Sequence, residues 1–198
     1  NYVESEEYQL AIDNFTKCIK LKPGDANLAK AYYNRGIAYD ELENYEDAIA
    51  DYTKAIRIDP DYASAYNNRG NAYYDLGNYE DAIADYTRAI RIDPDYAKAY
   101  YNRGNAYADL GNYEDAIADF TRAIRIDPDY ASAYYNRGAA YSDLGNYEDA
   151  ISDFTRTIRI DPDDVDAYVF RGNSYSNLEN YEDAIADYTR AIRIDPDY

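Results

Sequence analysis

The sequence predicts an all-α fold, a solenoid in which antiparallel pairs of helices stack one after another. An Asp-Pro dipeptide recurs every 34 residues, with its prolines at positions 60, 94, 128, 162 and 196, and the block Tyr-Glu-Asp-Ala-Ile recurs with it. Within each repeat, apolar residues fall at three- and four-residue steps, which is the period of one helical face. A single helical pair cannot bury such a face alone, so we expect neighbouring repeats to cover it.

This period divides the chain into one partial and five complete units, which together form a single predicted domain over residues 1–198. Residues 1–28 hold the second helix of the partial unit and the loop that follows it. The complete units are residues 29–62, 63–96, 97–130, 131–164 and 165–198. Each unit has room for two helices and short loops, so consecutive helices must run antiparallel.

The unit at 97–130 illustrates the reasoning for each element. Tyr100, Gly104 and Tyr107 lie on one face of a first helix, which the Gly-Asn pair at 111–112 ends. Asn112 is a favourable N-cap for the second helix. Pro128 prevents that helix from continuing. The apolar stripe of the second helix consists of Ala116, Ile117, Phe120, Ala123 and Ile124.

Charge and composition narrow the possible partners. The net charge is −19 and the pI is about 4.2, which disfavours nucleic acid and anionic membrane surfaces because both recruit Lys and Arg. A neutral to basic protein or peptide fits better. The chain has no apolar run near the roughly 20 residues that span a bilayer. It has one cysteine, which fits a reducing compartment such as the cytoplasm.

The residues offer little catalytic chemistry. Histidine is absent, which removes the imidazole base and the commonest metal ligand. Cys18 stands where later units have Ala or Thr, which favours a small packing residue over a nucleophile. The Asp-Pro-Asp loops could attract Ca²⁺, but a dedicated site needs six to eight converging oxygens, so helix capping explains them better. We therefore predict no enzyme, no metal and no cofactor.

The residue spacing within one unit carries a family resemblance. The unit that begins at residue 63 contains the matching residues Tyr66, Gly70, Tyr73, Ala82, Tyr86, Ala89 and Pro94. This pattern resembles the tetratricopeptide repeat, and it recurs in all five units. The resemblance implies a right-handed superhelix whose first helices line a concave groove, and a non-enzymatic scaffold that binds a peptide or protein segment there.

One consistent departure from the family pattern is an arginine in place of leucine in every first helix. These residues are Arg35, Arg69, Arg103, Arg137 and Arg171. An unpaired, partly buried arginine is costly, so we hypothesise that each pairs with the aspartate on the second helix of its unit. These are Asp51, Asp85, Asp119, Asp153 and Asp187. Alternatively, each arginine lays its stem on the core and extends its charged end into water.

The resemblance places the candidate binding residues on the first helices. They are Tyr33, Asn34, Asn67, Asn68, Asn71, Lys98, Tyr101, Asn102, Asn105, Tyr135, Asn136, Val169, Phe170 and Asn173. Asparagine can both donate to and accept from an extended backbone, and tyrosine offers rigid contact area. An acidic row at Glu41, Asp75, Asp109 and Asp143 favours a basic ligand. The last unit departs from the others with apolar Val169 and Phe170.

Two alternatives remain open. The repeats could self-assemble, because neither end of the solenoid carries the polar capping helix that such arrays need. The groove could instead hold a C-terminal carboxylate, as one chaperone-binding subtype does, with Asn34, Asn68, Asn102 and Asn136 as clamp residues and Lys30 or Lys98 as the charge. Tyr33 and Ile37 stand where that subtype has Lys and Asn, and an acidic groove would repel a carboxylate.

Overall fold

The computed structural model describes residues 2–21 and 24–197, and these residues form eleven α-helices. The helices are α1 (Tyr2–Lys20), α2 (Asp25–Asp40), α3 (Tyr45–Ile58), α4 (Ala63–Asp75), α5 (Tyr79–Ile92), α6 (Ala97–Asp109), α7 (Tyr113–Ile126), α8 (Ala131–Asp143), α9 (Tyr147–Ile160), α10 (Val165–Asn177) and α11 (Tyr181–Ile194). The all-α prediction of two helices per unit is confirmed. Helix α2 begins four residues before the predicted boundary at residue 29.

The chain forms two compact units, residues 1–106 and 107–198. In the first unit, α1, α2, α3, α4 and α5 pack in chain order, each against the next. In the second unit, α7, α8, α9, α10 and α11 do the same. Each unit is therefore a stack of helical pairs in which contacts are made between sequence neighbours, as a solenoid requires.

The turn within each helical pair depends on a residue with positive φ. Gly111 has a φ of 75° and follows α6, and its N–H donates to the Ala108 carbonyl at 2.9 Å. The Asn112 N–H then donates to the Tyr107 carbonyl at 2.8 Å. These two bonds close the helix with a Schellman motif. Asn112 occupies the N-cap of α7 as predicted, but its side chain makes no capping hydrogen bond.

The core of each helical pair combines a glycine on the first helix with an aromatic residue on the second. Tyr86 is 1% exposed and packs directly against Gly70. A Cβ atom at Gly70 would lie 2.7 Å from the Tyr86 ring, so only glycine permits this approach. Phe154 packs against Gly138 in the same way in the repeat of residues 131–164. These contacts explain why the glycine recurs with the repeat.

The arginine that replaces the family leucine forms a bidentate ion pair. Its Nε and Nη2 donate to the aspartate of the same unit at 2.6–2.9 Å in the pairs Arg35–Asp51, Arg69–Asp85, Arg137–Asp153 and Arg171–Asp187. The hypothesised pairing is confirmed for these four. The aspartate side chains are 2–8% exposed, so the charges compensate each other away from water.

The same arginines also link each unit to the one before it. Arg69 Nη1 donates to Thr53 Oγ1 at 2.9 Å, and Arg137 Nη1 donates to Thr121 Oγ1 at 2.9 Å. The corresponding bonds of the other arginines join Arg35 to Thr16, Arg103 to Thr87 and Arg171 to Thr155. Each of the four arginines with a described ion pair therefore connects three helices, two from its own repeat and one from the preceding repeat.

The Asp-Pro-Asp loops close on themselves. Asp59 Oδ1 accepts from the Asp61 N–H at 3.2 Å, and the same bond recurs at each later loop. This Asx turn explains the first aspartate of the motif without a cation. Among the described residues, no group of three or more Cys, Asp or Glu side chains is placed to hold a metal ion. None of the helices in the described ranges is long and apolar enough to cross a bilayer.

Candidate functional site

Polar side chains on α2, α4 and α6 form one hydrogen-bonded network in the first unit. Asn68 Nδ2 donates to Tyr33 Oη at 3.1 Å, and Asn67 Nδ2 donates to Asn68 Oδ1 at 3.2 Å. From α6, Asn102 Nδ2 donates to Asn67 Oδ1 at 3.2 Å and to Asn71 Oδ1 at 2.9 Å. The network links three successive first helices and fixes the orientation of their amides.

In two repeats, a tyrosine hydroxyl on the second helix donates to an asparagine on the first helix. Tyr86 Oη donates to Asn71 Oδ1 at 3.0 Å, and Tyr188 Oη donates to Asn173 Oδ1 at 2.9 Å. In both units the tyrosine follows the asparagine by 15 residues. Buried tyrosines need a partner for the hydroxyl, and these asparagines supply it.

Three repeats depart from this pairing. In the repeat of residues 97–130, Phe120 replaces the tyrosine while Asn105 remains, and in the other two the change is compensated. In the unit of α8 and α9, Phe154 replaces the tyrosine and Ala139 replaces the asparagine, so neither polar group is left without its partner. In the unit of α2 and α3, Ile37 replaces the asparagine, and the Tyr52 hydroxyl instead donates to Asp40 Oδ2 at 3.5 Å. The aspartate is therefore a local substitute acceptor for a buried hydroxyl.

Tyr33 anchors the N-terminal end of the network through its ring. Its centroid lies 4.7 Å from that of Tyr62 and 5.9 Å from that of Tyr52. Burial, together with the neighbouring Tyr62 and Tyr96 hydroxyls, raises the pKa of Tyr33 to about 12. The phenol is thus neutral at physiological pH, and its oxygen accepts from Asn68.

A polar cavity of about 250 Å³ opens beside the network. Its lining residues, all in the first unit, are Asn71, Tyr74, Asp75, Tyr86, Asn102 and Asn105. Asn71 Oδ1 already accepts two hydrogen bonds, and Asn102 Nδ2 donates two. The Asn71 Nδ2 group and the Asn102 Oδ1 atom make no hydrogen bond to any described residue, which leaves one donor group and one acceptor at the cavity.

Carboxylates lie at the C-terminal ends of α2 and α4. Asp40 Oδ1 is buried and accepts no hydrogen bond from the described residues. Burial and then the charges of Asp75 and Glu41 raise the pKa of Asp40 to about 6, although the Tyr52 hydroxyl acts against the shift. Burial also raises the pKa of the Asp75 carboxyl. This end of the surface therefore carries negative charge that no described arginine or lysine neutralises.

In the compact unit of residues 107–198, the first helices α8 and α10 carry aromatic side chains at the positions predicted to bind a partner. The Tyr135 ring packs edge-on against Phe154 at 5.6 Å and against Phe170 at 5.5 Å, measured between centroids. Phe170 remains 37% exposed, and Val169 beside it is half-buried. The apolar departure noted in the last unit is thus part of an aromatic cluster that continues from one first helix to the next.

The remaining predicted residues differ in exposure. Asn34, Lys98 and Asn173 are exposed, whereas Tyr101, Asn105 and Asn136 are half-buried. Asn67 is only 3% exposed, so it positions its neighbours and is not itself a contact surface. Sequence reasoning missed Asp40 and the supporting tyrosines. The paired presence of tyrosine and asparagine 15 residues apart was the signal that could have identified the latter.

Comparison with known proteins identifies the repeat. A sequence model described as "Tetratricopeptide repeat" matches residues 29–62, 131–164 and 165–198. A second model of the same description matches residues 51–84, and one described as "TPR repeat" matches residues 70–111 and 104–145. The matches of the first model alone cover more than half of the chain.

Curated relatives share only part of their length with this chain. The Small glutamine-rich tetratricopeptide repeat-containing protein 2 of Saccharomyces cerevisiae is 40% identical over 58 residues, which are 29% of this chain and 16% of that protein. The Mitochondrial import receptor subunit TOM70 of Homo sapiens is 35% identical over 63 residues, 31% of this chain and 10% of that protein. The chain thus spans less than a fifth of each relative.

Two solved structures are similar over most of the chain. MamA superimposes with a TM-score of 0.78 at 28% identity, and the superposition covers 81% of this chain and 94% of MamA. YrrB, described as a TPR protein with an unusual peptide-binding site, gives a TM-score of 0.78 at 28% identity over 93% of both chains. Repeat spacing, helical pairs, family models and solved structures agree, and the chain belongs to the tetratricopeptide repeat family.

Proposed function

We propose that the chain is a non-enzymatic scaffold that binds a peptide or protein segment along its first helices. The network from Tyr33 through Asn68, Asn67 and Asn102 to Asn71 supports this proposal most directly. Amides that are already oriented lose little freedom when a ligand binds, which favours affinity. The unengaged donor at Asn71 and acceptor at Asn102 match the two polar groups of a peptide unit.

The relatives support an interaction role in general terms. YrrB is a solved repeat protein with a peptide-binding site, and TOM70 is an import receptor subunit. The excess of acidic residues adds a preference for neutral to basic partners, because complementary charge accelerates encounter and disfavours acidic ligands.

The carboxylate-clamp alternative fits the geometry poorly. A clamp needs asparagine N–H groups that point at the ligand, but both Nδ2 hydrogens of Asn102 are engaged within the protein, with Asn67 and Asn71. Asn68 Nδ2 is directed at Tyr33. The Asp75 carboxylate at the cavity would also repel a terminal carboxylate.

Self-association is the second candidate, and exposure on α11 favours it. Tyr181, Ile185 and Ile192 are 58–63% exposed. Their counterparts on α9, including Ile151 and Ile158, are half-buried. Light scattering over a range of protein concentrations tests this alternative, because a scaffold that acts only through its groove keeps a constant mass, whereas association through α11 raises it.

A selection from a display library of random 12-residue peptides tests groove binding. Selected peptides are labelled, and their dissociation constants are measured by fluorescence anisotropy. The triple variant Asn68→Ala, Asn102→Ala, Tyr101→Ala should weaken binding at least tenfold with unchanged helicity by circular dichroism. The control variant Arg91→Ala, Glu114→Ala, Ser152→Ala alters exposed second-helix residues without a net change in charge. Equal binding by the triple and control variants would refute the proposal.

A further inference from the structure

The cavity on α4 and α6 differs from the rest of the first-helix surface in the groups that it leaves unengaged. Asn71 Nδ2 and Asn102 Oδ1 make no hydrogen bond to a described residue, although the other halves of both amides are fixed. The Asp75 carboxylate lines the same cavity and forms no described hydrogen bond or ion pair. A donor, an acceptor and an anion therefore converge on one volume of about 250 Å³.

The charge at this cavity disfavours an anion, because the one charged side chain that lines it is the carboxylate of Asp75. The negative charge of Asp75 helps to raise the pKa of Asp40. The Oδ1 atom of Asp40 is buried and accepts no hydrogen bond from the described residues. No arginine or lysine is among the residues that line the cavity. Because the Asp75 carboxylate lines the cavity and no cationic side chain does, a positive group placed there would gain Coulomb energy from Asp75.

A metal ion is a poor match for this site. Calcium takes six to eight oxygen ligands, most of them carboxylates or carbonyls, and the described residues place no group of three acidic side chains together. Amide donors such as Asn71 Nδ2 also repel a metal cation. The half-buried ring of Tyr74 instead suits an organic cation, since an ammonium or guanidinium group is attracted to an aromatic face.

We propose that this cavity receives a lysine or arginine side chain of the bound segment, with its cation at Asp75 and the adjoining peptide unit held by Asn71 and Asn102. This inference rests on the proposed peptide-binding function and adds its specificity. The unengaged amide halves hold the backbone, and the carboxylate selects the side chain. A basic residue would therefore occupy one defined position in every segment that binds here.

The test uses the peptides selected on the unmodified chain, each compared with a version in which one Lys or Arg is replaced by glutamine. With Asp75→Asn, the affinity for the basic peptide should fall at least tenfold, and the glutamine version should bind both proteins equally. The control Asp81→Asn removes the same charge from an exposed position on α5 and should change affinity less than twofold. Circular dichroism checks that both variants remain helical.

The outcomes separate this inference from the function on which it rests. If selected peptides lose binding in the Asn68, Asn102 and Tyr101 triple variant but tolerate Asp75→Asn, the cation site is wrong and the groove function stands. If Asp75→Asn and Asp81→Asn weaken binding equally, only general charge is at work and the site is again refuted. If free arginine competes as well as the peptide, the cavity binds a small cation and not a peptide side chain. If no peptide binds the groove, both proposals fail.

Discussion

Replacing Arg69 with leucine restores the residue that the family pattern usually has at this position, and removes one partner of a buried ion pair. The Asp85 side chain is 8% exposed and accepts from Arg69 at 2.7 Å at both oxygens. Loss of one partner leaves an uncompensated charge, which costs about 3–5 kcal/mol. Arg69 is 17% exposed, so we expect the lower end of this range, a loss of about 3 kcal/mol in the free energy of unfolding.

Urea unfolding followed by circular dichroism at pH 7 measures this loss. The double variant Arg69→Leu, Asp85→Leu is the matched control, because replacing both partners with apolar residues is often neutral. It should recover most of the stability, although the bond to Thr53 is also lost. That bond contributes about 1 kcal/mol. The difference between the single and double variants therefore isolates the unpaired carboxylate.

The pH dependence gives a second readout. Burial raises the pKa of the Asp85 carboxyl, and the hydrogen bonds and charge of Arg69 act in the opposite direction. Without Arg69 the pKa rises further, so the folded variant binds a proton more readily than the unfolded chain does. Its deficit should be greatest at pH 7 and should shrink as the pH falls towards 4. A single variant that loses less than about 1 kcal/mol, or a deficit that is constant with pH, would contradict this reasoning.

Three further predictions use the same unfolding assay. Glu43 has a φ of 59°, so Glu43→Gly should raise the stability by about 1 kcal/mol; a decrease would argue against backbone strain there. Gly70→Ala places a Cβ 2.7 Å from the Tyr86 ring, whereas at Gly138 the nearest ring atom is 3.0 Å away. We therefore expect a loss of about 1–3 kcal/mol at Gly70 and a smaller one at Gly138; equal losses would contradict the close-packing argument. The pKa of Asp40, raised to about 6 from 3.8, means that its contribution to stability is full below pH 3.8 and is lost as the pH rises through 6. Asp40→Asn should thus stabilise the chain by about 1–2 kcal/mol at pH 7, less than the whole shift because the carboxyl keeps some solvent contact, and the gain should vanish near pH 3.5.

The sequence predicted local structure well because the local signals agree with one another. Gly111 and Pro128 mark the ends of α6 and α7 to within two residues. The exception is Asn112, whose side chain was expected to cap α7. Its backbone N–H completes the Schellman motif of the preceding helix, and its side chain makes no capping hydrogen bond. Asn180 at the equivalent position completes the same motif and also accepts from the Asp183 N–H at 3.5 Å, so spacing alone did not show which asparagine side chain would cap.

Contacts between units were harder to predict than contacts within them. The partner of each arginine within its own unit was inferred from the cost of an unpaired charge, and that pairing holds for Arg69 and Asp85. The second bond, to Thr53 of the preceding unit, depends on the vertical offset between stacked units. That offset is set by side-chain packing, which a 34-residue period leaves undetermined.

The sequence by itself therefore determined the helical pairs, their boundaries, the repeat family and the first-helix location of the candidate surface. Only the tertiary structure decided how that surface is arranged. It buried Asn67, turned Asn102 towards its neighbours, and brought Asp75 to a cavity beside Asn71. The physical reason is that helix periodicity is a local property of the chain, whereas the direction of an amide or the exposure of a carboxylate depends on which neighbours the packed helices place around it.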